Sequence, residues 1–133
     1  MRLFRIVPVL AALTVAISYS LPVSAMPLGH HGGLITQCSD PSFYDQTPPP
    51  DQHLSRLERI VFLASANTDP SSIEVRVNLE VMKTQIRTER SGYHSVEVLL
   101  PEPISQGRAW IKVSAMSEDG CHAINTWNVY TGP

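Results

Sequence analysis

The sequence predicts an all-β protein, an antiparallel β-sandwich of about seven short strands. Apolar residues fall at every second position in several segments, most clearly between residues 73 and 81, and no helix produces that spacing. Clusters of turn-forming residues recur at intervals of roughly ten residues, as they do in sandwiches. No long window has the 3.6-residue period of an amphipathic helix.

The first 25 residues have the pattern of a signal peptide. Arg2 and Arg5 form a basic start, residues 6–21 are mostly apolar, and Val23-Ser24-Ala25 has the small side chains of a cleavage site. The competing interpretation is a membrane anchor, but the apolar run is shorter than the roughly 20 residues that a bilayer requires. We therefore expect residues 1–25 to be removed and the protein to be periplasmic or secreted, with no stable membrane span after cleavage.

The expected mature chain is small and mildly acidic. Removal of 25 of the 133 residues leaves 108, enough for one domain, with residues 26–33 as a glycine-rich flexible leader and residues 34–133 as the sandwich domain. Eight of the ten basic residues then remain against twelve acidic ones, a formal charge of −4. A nucleic-acid-binding protein needs a clustered basic face, so nucleic acid is excluded as a partner.

The chain contains two cysteines, Cys38 and Cys121. In an exported protein such a pair indicates a disulfide, since the compartment is oxidising. Closing a loop of about 80 residues would stabilise the fold by roughly 4 to 5 kcal/mol. The alternative is a pair of metal-binding thiolates, which no Cys-x-x-Cys spacing supports.

The domain is expected to begin with one short ordered segment, a connection and a central strand. Residues 34–38 form the first ordered segment, and residues 39–52 are a connection, since they are rich in Pro, Asp and Ser and include a polyproline-like run at 48–50. Residues 60–64 are apolar on both faces, which is typical of a central strand. Residues 67–72 carry four turn-forming residue types and end that strand.

Residues 73–81 have the clearest alternation in the chain. One predicted face consists of Ile73, Val75, Val77, Leu79 and Val81. Two alternatives remain for this segment: one strand that continues to residue 88, or a hairpin that turns at residues 78–80. The hairpin is preferred because the single strand would be longer than is usual.

The second half of the domain is predicted with fewer alternatives. A turn at Arg90-Ser91-Gly92 leads into a strand at residues 93–100, which Pro101 and Pro103 are expected to end. Residues 108–116 and 121–130 then form a hairpin, and the Asp-Gly pair in Ser117-Glu118-Asp119-Gly120 supplies its turn.

Four segments resemble bacterial immunoglobulin-like modules. They are Thr47-Pro48-Pro49-Pro50-Asp51, residues 57–64, Asp69-Pro70-Ser71-Ser72 followed by Ile73-Glu74-Val75, and Arg108-Ala109-Trp110-Ile111-Lys112-Val113. The resemblance spans residues 48–130 and implies an immunoglobulin-like sandwich, a fold that hosts many unrelated functions. The Cys-Trp-Cys framework of antibody domains is absent from the sequence.

A narrower resemblance is to the periplasmic copper-binding CopC-like sandwiches. That family uses a histidine at or near the mature N-terminus together with further histidine and aspartate ligands. Here His30 and His31 are the fifth and sixth residues after the expected cleavage site. The resemblance implies copper as the metal.

Five histidines follow the signal sequence: His30, His31, His53, His94 and His122. Imidazole binds both copper and zinc. The pair in the leader has no scaffold of its own, but a disulfide between Cys38 and Cys121 would bring the end of the leader beside His122. His30, His31 and His122 are therefore the candidate metal ligands, and exposed loop histidines without a metal are the alternative. His94 and His122 each begin a β-rich run and are candidates for one end of the sandwich.

Neither a catalytic constellation nor a phosphate loop is recognisable, so we expect no enzymatic activity.

Trp127 has the parity of the apolar residues of its strand, whereas Trp110 has the opposite parity from Ile111 and Val113. An outward-facing Trp110 beside Lys112 is a candidate anchor for a partner protein, because aromatic residues dominate interface hot spots. Cover from a loop is the alternative.

These observations support two functional hypotheses. The first is an exported binding or accessory module that acts on another periplasmic or cell-surface protein. The second is a periplasmic copper- or zinc-binding protein that uses its histidines.

Overall fold

The computed structural model describes residues 38–133, which form two β-sheets packed face to face. The predicted signal peptide, the predicted leader and its two histidines lie outside these residues. The strands are β1 (Phe43–Thr47), β2 (His53–Leu54), β3 (Leu57–Ala64), β4 (Glu74–Val77), β5 (Glu80–Val81), β6 (Thr84–Thr88), β7 (His94–Ile104), β8 (Gly107–Met116) and β9 (His122–Thr131), with a 3-10 turn at Pro70–Ser72.

The strand order is β1-β3-β7-β6 in one sheet and β2-β9-β8-β4-β5 in the other. All pairs are antiparallel except β2 with β9. The predicted all-β sandwich is confirmed. Seven of the nine strands have four or more residues, and β2 and β5 have two each.

The core lies between the sheets and is built by the predicted alternation. β3, β4, β7, β8 and β9 each place alternate apolar side chains inward, and the fully buried ones include Ile60, Phe62, Val75, Val96, Val98, Ile111, Val113 and Val129. The hairpin of β8 and β9 is regular along its length, with Ile111 opposite Trp127. Trp127 is buried as its parity predicts, and its indole Nε1 donates a hydrogen bond to the carbonyl oxygen of Pro48 at 3.1 Å.

Residues 73–81 form the preferred hairpin, but the predicted apolar face is wrong beyond Val77. Ile73, Val75 and Val77 are buried, whereas Leu79 and Val81 are exposed. The cause is the two-residue turn, in which Asn78 and Leu79 both have positive φ, 46° and 76°. Because such a turn reverses the chain, Val81 lies opposite Arg76 on the outer face.

The prediction that residues 39–52 are only a connection is wrong. Phe43–Thr47 is an edge strand that pairs with β3, and its ladder has a bulge between Tyr44 and Thr47. Polar composition hides this strand, since only its inward Phe43 packs against the core. The prolines that follow carry the chain from one sheet to the other, where Asp51 N–H donates to the carbonyl oxygen of Asn128 at 2.8 Å.

The prediction that Pro101 and Pro103 end their strand is wrong, because β7 continues to Ile104. The pairing with β3 shifts there: Leu99 lies opposite Arg59 and Ile104 opposite Leu57. The two prolines fall inside this irregular segment, where a missing backbone N–H breaks no ladder hydrogen bond. Within residues 38–133, no helix has the length and apolar character needed to cross a membrane.

Val75→Asp tests the inward face of β4. The side chain of Val75 has no exposed surface, so the variant buries an unpaired charge and should lose roughly 4 kcal/mol or more of its free energy of unfolding. Thermal melting followed by circular dichroism measures the loss. Arg76→Asp introduces the same residue on the outer face and should change stability by about 1 kcal/mol or less. Equal stability of the two variants would contradict the strand register.

Candidate functional site

The predicted disulfide joins Cys38 to Cys121 and defines one end of the sandwich. The two Cα atoms are 5.6 Å apart across a sequence separation of 83 residues. We call this region the disulfide end: Cys38, Ser39, the turn at residues 117–121 and His122. The bond fixes the point where the N-terminal segment enters the domain, beside the first residue of β9.

Asp119 holds the disulfide end together. One carboxylate oxygen accepts a hydrogen bond from Ser117 Oγ at 2.5 Å, and the other accepts one from the backbone N–H of Ser39 at 3.2 Å. The hydrogen bond from Ser117, followed by that from Ser39, lowers the pKa of Asp119 below its ordinary value of 3.8, although desolvation opposes the change. Asp119 is therefore a carboxylate at neutral pH and a candidate oxygen ligand.

The sequence interpretation treated Glu118 and Asp119 as turn residues and missed this second role for Asp119. The turn itself is confirmed, since Gly120 has a φ of 95° and its N–H donates to the carbonyl oxygen of Ser117 at 2.9 Å. The available signal was the spacing of Asp119 and His122 around Cys121. This spacing indicates a ligand pair only if the disulfide brings the N-terminal segment to the same turn.

His122 is the exposed histidine of the disulfide end. It begins β9 and lies opposite Met116 on the outer face of the five-stranded sheet. His94 begins β7 at the same end of the sandwich but in the other sheet, as expected for two residues that each start a strand. His94 is buried, and its Nδ1 lies 3.0 Å from Thr88 Oγ1, so it does not face solvent with His122.

His53 lies at the opposite end of the same sheet. It pairs with Tyr130, and the two rings stack with centroids 5.1 Å apart and an interplanar angle of 19°. Tyr130 is eight residues beyond His122 along β9, a distance of about 27 Å at the usual strand rise. The structure therefore separates His53 from His122.

His30 and His31 lie outside the described residues, but covalent geometry limits where they can reach. Seven residues of fully extended chain span at most about 25 Å, so His31 must stay within that distance of Cys38. The disulfide end is inside this radius. Among residues 38–133, no group of three or more His, Cys, Asp or Glu side chains is arranged to hold a metal ion.

Trp110 faces outward, as its parity predicts. It is half-buried on the five-stranded sheet opposite Asn128, and its backbone N–H donates to Asn78 Oδ1 at 2.8 Å. Its neighbours Ala109 and Ile111 are fully buried. A role for Trp110 in binding a partner stays a prediction.

No protein-family model matches the sequence, and a search of curated proteins finds no match. Solved structures do resemble the fold. CopC from Methylosinus trichosporium OB3b has a TM-score of 0.56 at 12% identity, covering 70% of this chain and 94% of CopC. PcoC, a methionine-rich copper resistance protein from Escherichia coli, has a TM-score of 0.52 at 14% identity, covering 70% of this chain and 99% of PcoC.

The likeness shows a shared β-sandwich fold. A second structure of PcoC, with selenomethionine, gives the same result, with a TM-score of 0.53 at 13% identity and coverage of 68% of this chain and 98% of that chain. Of the two resemblances noted in the sequence, the CopC-like one has structural neighbours. The immunoglobulin-like one agrees only at the level of a sandwich.

Removal of the disulfide should cost a large part of the stability of this small domain. The double variant Cys38→Ser/Cys121→Ser should lose about 4 to 5 kcal/mol of unfolding free energy, because its denatured state regains the freedom of the closed loop. Urea unfolding measures the loss, and a reductant should have no effect on the double variant. Two reactive thiols in the unfolded wild-type protein would contradict the assignment.

Protonation of Asp119 should weaken the disulfide end in acid. A lowered pKa means that the carboxylate stabilises the fold above its ordinary pKa of 3.8 and loses this contribution as the pH falls through the lower folded value. Below about pH 4 the melting temperature of wild type should therefore fall more steeply than that of Asp119→Asn.

Ser117→Ala serves as the matched variant because it removes the hydroxyl that chiefly lowers this pKa. It should reduce the acid dependence in the same direction. If the melting temperatures of wild type and both variants have the same pH dependence, Asp119 does not contribute as described.

Proposed function

We propose that this protein is an exported copper-binding protein that carries copper at the disulfide end. His122, the Asp119 carboxylate and a histidine from the predicted leader, His30 or His31, are the proposed ligands. The metal is cargo and not a resident cofactor. The proposal extends the second of the two functional hypotheses, and the fold likeness to a copper resistance protein favours it over the first.

The observation that carries the proposal is the disulfide between Cys38 and Cys121. It attaches the N-terminal segment next to an exposed histidine and an ionised carboxylate, which provide nitrogen and oxygen ligands. The described residues alone do not complete a ligand set, so a third ligand from the leader is required. Metal binding is favoured when ligands are kept near one another, and the disulfide keeps the leader within reach of His122 and Asp119.

Copper is preferred to zinc on chemical grounds. Imidazole ligands bind both metals, but Cu(II) forms the stronger complexes with a given set of nitrogen and oxygen ligands. The signal-peptide pattern of residues 1–25 supports export to a compartment in which His30 and His31 can encounter copper and zinc. We assign no catalytic role to any residue.

A partner-binding role remains as a second candidate function. The observation that favours it is the outward Trp110, which presents an aromatic surface in the middle of the five-stranded sheet. It does not conflict with copper binding, since Trp110 lies six residues along β8 from Met116, the partner of His122, a distance of about 20 Å, and a carrier needs a recipient.

Isothermal calorimetry with Cu(II) tests the proposed site on the oxidised mature chain. Wild type should bind one ion. His122→Ala and the double variant His30→Ala/His31→Ala should each bind Cu(II) at least roughly 10- to 100-fold more weakly. Removal of a residue that only hydrogen-bonds to a metal ligand already lowers metal affinity by that factor. Zn(II) should bind more weakly than Cu(II) to wild type.

His53→Ala is the matched control, because this histidine lies at the opposite end of the same sheet. Its affinity for Cu(II) should equal that of wild type. Binding that persists in the His30/His31 double variant, or that is lost in His53→Ala, would contradict the proposed ligand set.

A further inference from the structure

A separate concave surface lies on the outer face of the four-stranded sheet. Tyr44 of β1 and Tyr93, just before β7, supply its aromatic surface and pack edge to face, with ring centroids 5.9 Å apart and an interplanar angle of 69°. The cleft has a volume of about 290 Å³ and is also lined by Leu63, Asp45, Glu89 and Ser91. We call it the tyrosine cleft. It contains none of the proposed copper ligands.

The backbone around the tyrosine cleft is held in an unusual shape. Asp45 has a φ of 53° at the bulge of β1, a left-handed conformation that Asp tolerates better than most residues do. Bulges redirect the chain, and this one places Asp45 in the lining of the cleft. A backbone outlier at a cleft is an observation from which function can be inferred.

The opposite wall is equally fixed. The backbone N–H of Glu89 donates to the carbonyl oxygen of Tyr93 at 2.8 Å, and Gly92 N–H donates to that of Glu89 at 3.0 Å. Gly92 has a φ of 89°, and a Cβ at this position would lie 3.2 Å from the Cβ of Ala66. The turn therefore packs closely against the loop after β3, which holds Tyr93 in place before any ligand binds.

The charge in the tyrosine cleft is uncompensated. The ion pairs within residues 38–133 use Glu58, Glu74 and Glu97, and none involves Asp45 or Glu89. Arg90 lies in the same turn as Glu89 but pairs with neither carboxylate. The two tyrosines are 44% and 38% exposed. Aromatic faces carry negative potential, so the exposed tyrosine surface together with two acidic residues favours a cation.

We propose that the tyrosine cleft binds an arginine side chain presented by a partner protein. A guanidinium group is planar and weakly hydrated, so it stacks on tyrosine and donates paired hydrogen bonds to a carboxylate. A lysine ammonium is more strongly hydrated and lacks the plane that stacks. The volume admits one side chain and not a folded segment, and the acidic charge of the mature chain favours a basic partner.

An NMR titration of the mature protein with three small probes tests the assignment. N-acetyl-arginine amide should shift the signals of Tyr44, Tyr93 and Glu89, with a dissociation constant on the order of millimolar. The citrulline analogue has the same shape without the charge and should bind at least about fivefold more weakly. The lysine analogue should also bind more weakly than arginine.

Variants locate the interaction. Tyr44→Ala and Tyr93→Ala should each raise the dissociation constant roughly fivefold, the loss of one cation–π contact. Asp45→Asn should weaken binding while keeping the left-handed backbone, since Asn adopts that conformation readily. Glu102→Gln, an exposed carboxylate outside the cleft, is the control and should bind as wild type does.

Three results would overturn the proposal: no arginine-induced shifts in the tyrosine cleft, equal affinity for arginine and citrulline, or equal affinity for arginine and lysine. The citrulline comparison uses the unmodified protein, so it decides the question even if a variant fails to fold. Because none of these measurements involves copper, failure here is distinguishable from failure of the copper site.

Discussion

Burial of one face of each sheet against the other is the constraint on which the rest of this structure depends. The described chain has no helix beyond a three-residue turn, so its apolar core consists of side chains at alternate positions of facing strands. Every inward position is therefore committed to packing. Groups available to bind a ligand are confined to the outer faces, the edges and the ends of the sandwich, which is where the proposed sites at His122, Trp110 and the tyrosine cleft lie.

A sandwich of this size buries a limited share of its surface, and its first segment is weakly anchored. Phe43 is the core-packing side chain of β1, and residues 38–42, the described chain before it, form no strand. The disulfide and the hydrogen bond from Ser39 to Asp119 compensate for this by tying the segment to the β8–β9 turn. The same covalent bond sets the point from which the preceding residues extend, which is beside His122.

Most of the fold was predictable because apolar alternation and cysteine pairing act at the level of single residues. The β8–β9 hairpin, the inward face of β4, the orientation of both tryptophans and the disulfide follow directly. Three features were not predictable in that way. β1 has a single side chain packed on the core, the parity of Val81 depends on the φ angles of Asn78 and Leu79, and β7 passes its prolines by a shift of register.

The candidate sites were less predictable than the fold, for a geometric reason. His122 was identifiable because it adjoins a cysteine, and Asp119 became a candidate only when its hydrogen bond to Ser39 was known. Tyr44 and Tyr93 are far apart in the sequence and meet because β1, β3 and β7 are neighbours. Sheet order is a tertiary property, and alternation along one strand carries no information about it.

The two proposed sites lie at the same end of the molecule. The tyrosine cleft is where β3 ends and β7 begins, and the disulfide end is where β8 ends and β9 begins. The loop after β3 joins them: Ser65 N–H donates to the carbonyl oxygen of Ser42, and Asn67 Nδ2 donates to that of Ser39, both at 2.9 Å. The cleft nevertheless opens on the outer face of the four-stranded sheet and His122 on that of the five-stranded sheet, so a single partner would have to extend around this end of the sandwich to engage both.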